Sequence, residues 1–208
     1  MTLNVKKELE QNTLTLEKVL TSIWELISDG AVNSNKPFHT PVIGTVSNDS
    51  AKIRTVVLRK FDLEKLLLIF HTDIRSNKIK ELIENSNLSW LFYDPTERIQ
   101  VRILSTAIIL TEGELFETQW NSTQLMSRRC YTITEKPGTI TKFPSSGIPN
   151  QFVERSITES ESELGKNNFA VAASRIKSIN WLFLKSNGNI SAEFNFTENG
   201  IIQNWIIP

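Results

Sequence analysis

The chain has 208 residues, enough for one domain with a sizeable core, and its 23 Lys and Arg balance its 23 Asp and Glu. A neutral chain has no basic field to collect nucleic acid or an anionic membrane, so neither partner is expected. A single cysteine rules out an intrachain disulfide, and with only two histidines beside it no metal centre is expected. Residues 1–10 lack the apolar core of a signal peptide, and the apolar run Leu66–Phe70 is far too short to span a bilayer. A cytoplasmic protein is the resulting expectation.

Apolar periodicity predicts a helix over 13–29, with Leu16, Val19, Leu20, Ile23 and Ile27 on one face and Gly30 as its stop. Residues 31–40, with Asn33-Ser-Asn-Lys-Pro37, read as a loop. Strands are predicted over 41–47 and 51–58, turning at Asn48-Asp49-Ser50, and over 66–72. A short helix over 76–84 places Ile79, Leu82 and Ile83 inward. Strands follow over 87–93 and 98–110, around the turn Asp94-Pro95-Thr96. A helix over 112–127 shows Leu115, Phe116 and Trp120 as its apolar face. Residues 134–151, which hold Pro137, Gly138, Pro144, Gly147 and Pro149, form a long loop, and a short helix covers 157–164. The last strands are 169–184, 190–196 and 201–206, with Asn187-Gly188 as a hairpin turn. Many short strands and few helices predict a mainly β fold, a closed or partly closed barrel with peripheral helices. It reads as one domain over 1–208: N-terminal helix 13–29, barrel core 37–110, helix and loop 112–165, C-terminal strands 168–206.

Two stretches gather groups that suit an anion. Arg54-Thr-Val-Val-Leu-Arg59 is an extended run with a cation at each end; strand alternation puts Arg54, Val56 and Leu58 on one face and Thr55, Val57 and Arg59 on the other. Taken alone, such cations are more often solvated strand ends. The second stretch, Phe70-His-Thr-Asp-Ile-Arg-Ser-Asn-Lys78, leads from a strand into a helix start. A helix N-terminus offers free N–H groups to anions, the hydroxyls of Thr72 and Ser76 can donate, and Lys78 adds a compact charge. Capping by Asp73 or Ser76 uses the same donors and competes with nothing. Gln100, in a strand, both donates and accepts, although a strand glutamine is usually just exposed. His39 and His71 have no Ser or Cys arrangement that would make a triad. Neither common glycine-rich phosphate loop is present.

Arg54-Thr-Val-Val-Leu-Arg59, Phe70 to Leu82, Trp90-Leu-Phe-Tyr93 and Glu97-Arg-Ile-Gln-Val-Arg102, in this order and spacing, resemble the pyridoxamine 5′-phosphate oxidase-like FMN-binding split barrels. The resemblance covers residues 37–110 well and the remainder loosely. It implies a homodimer with FMN bound between subunits, Arg54, Ser76 and Lys78 on the phosphate, and the backbone of Thr55, Val56, Val57 and Leu58 along the ring. It further implies His71, Thr72 and Gln100 as cofactor contacts, with Arg59 beside the substrate or the N1–O2 side of the flavin. No general base is named by it.

The departures from the family pattern matter. Asn77 stands where the oxidase has a second cation, leaving Arg75 to compensate. Gly188-Asn-Ile-Ser-Ala-Glu-Phe194 contains neither residue of the oxidase's C-terminal Arg-x-His motif, Glu193 falls at a cofactor arginine, and Leu182 replaces a tryptophan. The expectation is therefore an FMN-dependent oxidoreductase with a substrate other than vitamin B6. The alternatives are a non-catalytic flavin carrier or sensor, and a split barrel for haem or deazaflavin.

Overall fold

The structure, a computed structural model, describes residues 4–208. Helix α1 (Val5–Glu10) starts at Asn4, whose Oδ1 accepts from the Lys7 N–H at 3.0 Å. It is too short to leave a readable apolar period. Helix α2 (Leu16–Val32) starts at Thr15 and buries Val19, Ile23 and Ile27 completely. It does not stop at Gly30. That glycine is inside the helix because Phe38 crosses it there: a Cβ would lie 2.7 Å from the Phe38 carbonyl carbon.

Strands β1 (Val42–Ser47) and β2 (Ser50–Thr55) form a hairpin whose corner residues, Asn48 and Asp49, both have left-handed φ, 48° and 59°. Tight hairpin turns need this conformation, and Asn and Asp adopt it more readily than other side chains. The ladder ends at Thr55, short of the expected Leu58. Beyond it the chain stays extended but takes new partners: Val56 and Leu58 donate to the carbonyls of Pro41 and His39, and Arg59 donates to that of Ile69. Residues 56–59 thus link the start of β1 to strand β4 (Leu67–Asp73) and close the barrel wall. A short β3 (Lys60–Asp62), invisible in the sequence pattern, pairs with β4.

Helix α3 (Asn77–Glu84) buries Ile79 and Leu82, but Ile83 is 72% exposed and the inward position is taken by Glu81. Strands β5 (Asn87–Asp94) and β6 (Ile99–Leu110) follow. The expected helix over 112–127 is two: α4 (Glu114–Ser122) and α5 (Leu125–Arg128). Thr123 is extended between them, and Arg128 Nε donates to the carbonyls of Trp120 and Thr123, satisfying the end of α4. Residues 133–149 contain no helix or strand. Helix α6 (Glu159–Ser162) opens with a Thr158–Glu161 capping box, and β7 (Phe169–Phe183), β8 (Ile190–Thr197) and β9 (Gly200–Ile206) complete the chain.

All nine strands of the described residues belong to one antiparallel sheet, ordered β2-β1-β5-β6-β7-β4-β3, with β8 and β9 branching from β7. The branch arises because β7 is long enough to divide one edge. Phe169–Arg175 pairs with β4 and Ser178–Phe183 pairs with β8, while the other edge runs along β6. This mainly β split barrel with peripheral helices has two apolar cores. The larger fills the barrel with Trp90, Phe92, Val101, Trp181 and Phe194, sealed by α2. The smaller lies under α4 and joins Ile69, Phe116, Trp120 and Phe169. β4 separates them, sending Leu68 and Phe70 to one core and Ile69 to the other. Among the described residues no helix is long and apolar enough to cross a membrane.

Candidate functional site

β4 ends where α3 begins, and the turn between them gathers the polar groups. Thr72 continues the barrel-facing side of the strand, and Ser76 is the residue from which α3 starts. Both are buried, and their hydroxyls lie 3.2 Å apart. Lys78 Nζ donates to both, at 3.0 Å to Thr72 and 3.2 Å to Ser76. It pairs with no carboxylate among the described residues. Burial lowers its pKa, and the neighbouring Arg54 charge lowers it further. The Asp73 and Glu81 charges act the other way without reversing it, and a half-buried ammonium beside another cation, hydrogen-bonded only to hydroxyls, suits an anion.

Arg54 reaches this cradle from β2. Its guanidinium donates to Thr45 Oγ1 and, at 2.7 Å, to Glu81 Oε2. Thr45 Oγ1 also donates to the same carboxylate oxygen. Burial pushes the Glu81 carboxyl up, but these hydrogen bonds and the Arg54 charge outweigh it and hold the group below its usual value. The acid fixes the guanidinium and leaves several of its five N–H donors uncommitted. Asp73 and Arg75, eight and six residues before Glu81, form a separate pair. Arg75 Nη2 lies 2.7 Å from Asp73 Oδ2 and also donates to the Ile133 carbonyl, while Nη1 donates to that of Thr134. Arg75 is thus spent on Asp73 and the long loop, and does not supply the cation missing at Asn77. Nor does Asp73 cap α3: its Oδ1 accepts from the Arg75 N–H instead.

The remaining expected residues fall into two places. Thr55 is exposed, Val56 and Val57 are half-buried and Leu58 is fully buried, so this segment forms an extended edge running away from the cradle. Gln100 lies on the outward side of β6 opposite Tyr93 and Leu182 and is not part of the cradle. Trp181 is wholly buried, whereas Leu182 is half-buried and Glu193 sits opposite Asn180 on β8.

His71 and Arg59 occupy a second place. His71 follows the α4 side of β4, one residue before Thr72, and stands edge-on to Phe169 with ring centres 4.8 Å apart. Its Nε2 lies 3.0 Å from Gln119 Oε1. Burial drives its pKa down to about 4, with the Arg59 charge acting in the same sense against the Gln119 hydrogen bond. Both histidines, Arg59, Gln119 and Thr123 line a polar cavity of about 360 Å³. The sequence pattern missed Thr45, Glu81, Gln119 and Thr123. Only Glu81 left a trace, three residues after Lys78 on the same helical face.

Residues 21–111 match the family model described as pyridoxamine 5′-phosphate oxidase, FMN-binding domain. No curated protein sequence matches the chain. Among solved structures, a pyridoxamine 5′-phosphate oxidase-related, FMN binding protein from Nostoc punctiforme PCC 73102 is similar, with TM-score 0.72 and 17% identity over 94% of this chain and 100% of that one. PhzG from Burkholderia lata 383, in complex with tetrahydrophenazine-1-carboxylic acid, gives TM-score 0.68 and 16% identity over 91% of each chain. A Clostridium acetobutylicum protein related to general stress protein 26 gives 0.54 and 15% over 85% and 95%. At these identities the likeness is one of fold. Residues 21–111, which include every residue of the cradle, thus match a pyridoxamine 5′-phosphate oxidase FMN-binding domain, and the split barrel is the fold shared with these solved structures.

Proposed function

We propose that the chain binds FMN with its phosphate in the Arg54–Thr72–Ser76–Lys78 cradle and acts as an oxidoreductase. The observation that carries this reading is Lys78: a half-buried cation next to Arg54, with two hydroxyls and no carboxylate as partners. The α3 N-terminus adds unpaired N–H groups at the same point. Residues 55–59 extend from Arg54 for about 16 Å at ordinary strand rise, a suitable length for the ribityl chain and ring. When bound, FMN would supply two-electron chemistry; the protein's part is to hold and orient it. His71 is poorly placed as an axial haem ligand, since its Nε2 is engaged by Gln119 and its Nδ1 faces Thr123 Oγ1 at 3.4 Å, whereas His39, among the described residues, keeps Nε2 free with Nδ1 on the Gly30 carbonyl at 2.7 Å.

In this reading the working unit is a homodimer with the cofactor between subunits, and Gln100 on the outward sheet face serves that interface. The support is a pair of uncovered apolar side chains on that face: Ile53 at 75% and Leu104 at 56% exposure end a row that runs through Gly44 and Ser89 across four strands. A lone domain rarely leaves such a face to water. The substrate is not a vitamin B6 phosphate, because Gly188 to Phe194 has no Arg or His to grip it.

The visible spectrum of the purified protein, with FMN titrated in, tests the cofactor. Lys78→Ala and Arg54→Ala should each weaken FMN by roughly 10- to 100-fold, the worth of a charge-assisted hydrogen bond. Riboflavin, which lacks the phosphate, should be indifferent to Lys78→Ala. A protein that ignores FMN, or equal losses for FMN and riboflavin, would sink the phosphate assignment. Bound flavin that no amine, nitro or quinone substrate reoxidises or reduces would favour a carrier or sensor instead.

A further inference from the structure

The cavity on the α4 side of β4 has a chemistry of its own. It contains one permanent cation, Arg59, and no acidic residue lines it. Arg59 is exposed to the cavity side and forms no ion pair among the described residues. Gln119 is 5% exposed. Its side-chain amide faces His71 Nε2 at 3.0 Å, while Thr123 Oγ1, which donates to the Gln119 backbone carbonyl at 2.6 Å, lies 3.4 Å from His71 Nδ1. His71 thereby orients the Gln119 amide, which keeps at least one N–H donor without a protein acceptor among the described residues. His71, with its pKa near 4, adds no charge at neutral pH. The Ser122 and Thr123 hydroxyls donate to the Gln119 backbone carbonyl, at 3.1 and 2.6 Å, and Ala31, Val32, Ser34, His39 and Gln124 complete the lining.

We propose that this cavity binds the carboxylate of a small organic acid, with Arg59 as the countercharge and the buried Gln119 amide as the orienting donor. A phosphate ester carries close to two negative charges at neutral pH and three acceptor oxygens. The chain meets that demand at the cradle with two cations, two hydroxyls and a helix N-terminus. The cavity offers one cation and one preoriented amide, which matches a single charge and two coplanar oxygens. As the substrate site of a flavin enzyme this rests on the FMN reading, because the 54–59 segment runs from the cradle to Arg59 and so delivers the far end of the ring beside the cavity. As a carboxylate site it stands without FMN.

The test uses benzoate and phenyl phosphate, which share a ring and differ in the anion, and benzamide as the neutral control. Binding is followed by the imidazole NMR signals of His71 in full-length protein, with and without FMN. Benzoate should shift those signals saturably and bind at least 10-fold tighter than the other two. Arg59→Ala and Gln119→Glu should each weaken benzoate at least 10-fold, with Arg59→Lys retaining part of it. Benzoate that leaves His71 unmoved, phenyl phosphate as the tighter ligand, or unchanged affinity in Arg59→Ala would each overturn the proposal. Benzoate binding in a protein that takes up no FMN would uphold the carboxylate site and remove only its connection to flavin chemistry.

Discussion

Arg54 and Glu81 join the barrel to helix α3: guanidinium Nη2 lies 2.7 Å from carboxylate Oε2, and Thr45 binds both. The acid is 7% exposed, so its charge is tolerable only because all three groups are matched. Glu81→Ala should cost about 1–3 kcal/mol in urea denaturation, by orphaning Arg54 and the Thr45 hydroxyl. The pH dependence has a fixed sign. Because folding lowers the Glu81 pKa, its contribution is present above the unfolded value of 4.5 and is lost as pH falls through the folded value. Glu81→Gln should therefore flatten the acid limb of the stability profile. An unchanged acid limb would show that the pair does not stabilise the fold.

His71 sets a second pH response. Its folded pKa near 4 lies below the ordinary imidazole value of 6.5, so protonation favours the unfolded chain. Stability should start to fall as pH drops below about 6.5, and the loss should be complete near pH 4, at about 3 kcal/mol. Histidine NMR titration reads the pKa directly, and His71→Gln should remove this part of the pH dependence. Protonation of His71 near pH 6.5 would contradict its burial against Gln119 and Phe169.

Arg75 is the anchor of the long loop. Its two donations to the carbonyls of Ile133 and Thr134 tie the loop's start to the turn that forms the cradle. Arg75→Ala should raise amide exchange across 134–151 and speed tryptic cleavage after Lys142, while lowering global stability by about 1–3 kcal/mol through the unpaired Asp73. Unaltered exchange in the loop would mean that other contacts hold it.

The outward sheet face should decide the oligomeric state. Leu104 and Ile53 are solvent-facing in one chain, so a charge there costs the monomer little. In a dimer built on this face it would bury an unpaired carboxylate. Leu104→Glu is expected to yield folded monomers by light scattering and to lose FMN affinity together with the partner. A monomeric parent protein, or a variant that still dimerises, would put the interface elsewhere.

Periodicity along the chain revealed what depends on neighbours in sequence. The β1–β2 hairpin, the alternating β6 and the inner face of α2 were legible because strand and helix repeat their burial every two or three to four residues. That Arg54, Thr72, Ser76 and Lys78 gather was legible for a related reason: short segments carry them, and a helix start after a strand exposes free N–H groups. Short or irregular pieces were not. α1 and β3 are too brief to show a period, Gly30 marked a crossing rather than a helix end, and the 51–58 strand changes partners at Val56.

The acid between the cations was equally out of reach, because Glu81 meets Arg54 across 27 positions of chain. So was the separation of Thr72 from His71. They are adjacent in sequence, yet β4 runs between two cores and sends one side chain to the cradle and the other toward Gln119, 48 residues away. Residue types and local spacing settle which groups are available and which element carries them. Which groups meet, and whether a histidine there is charged, follows from long-range packing and burial, which no local pattern encodes.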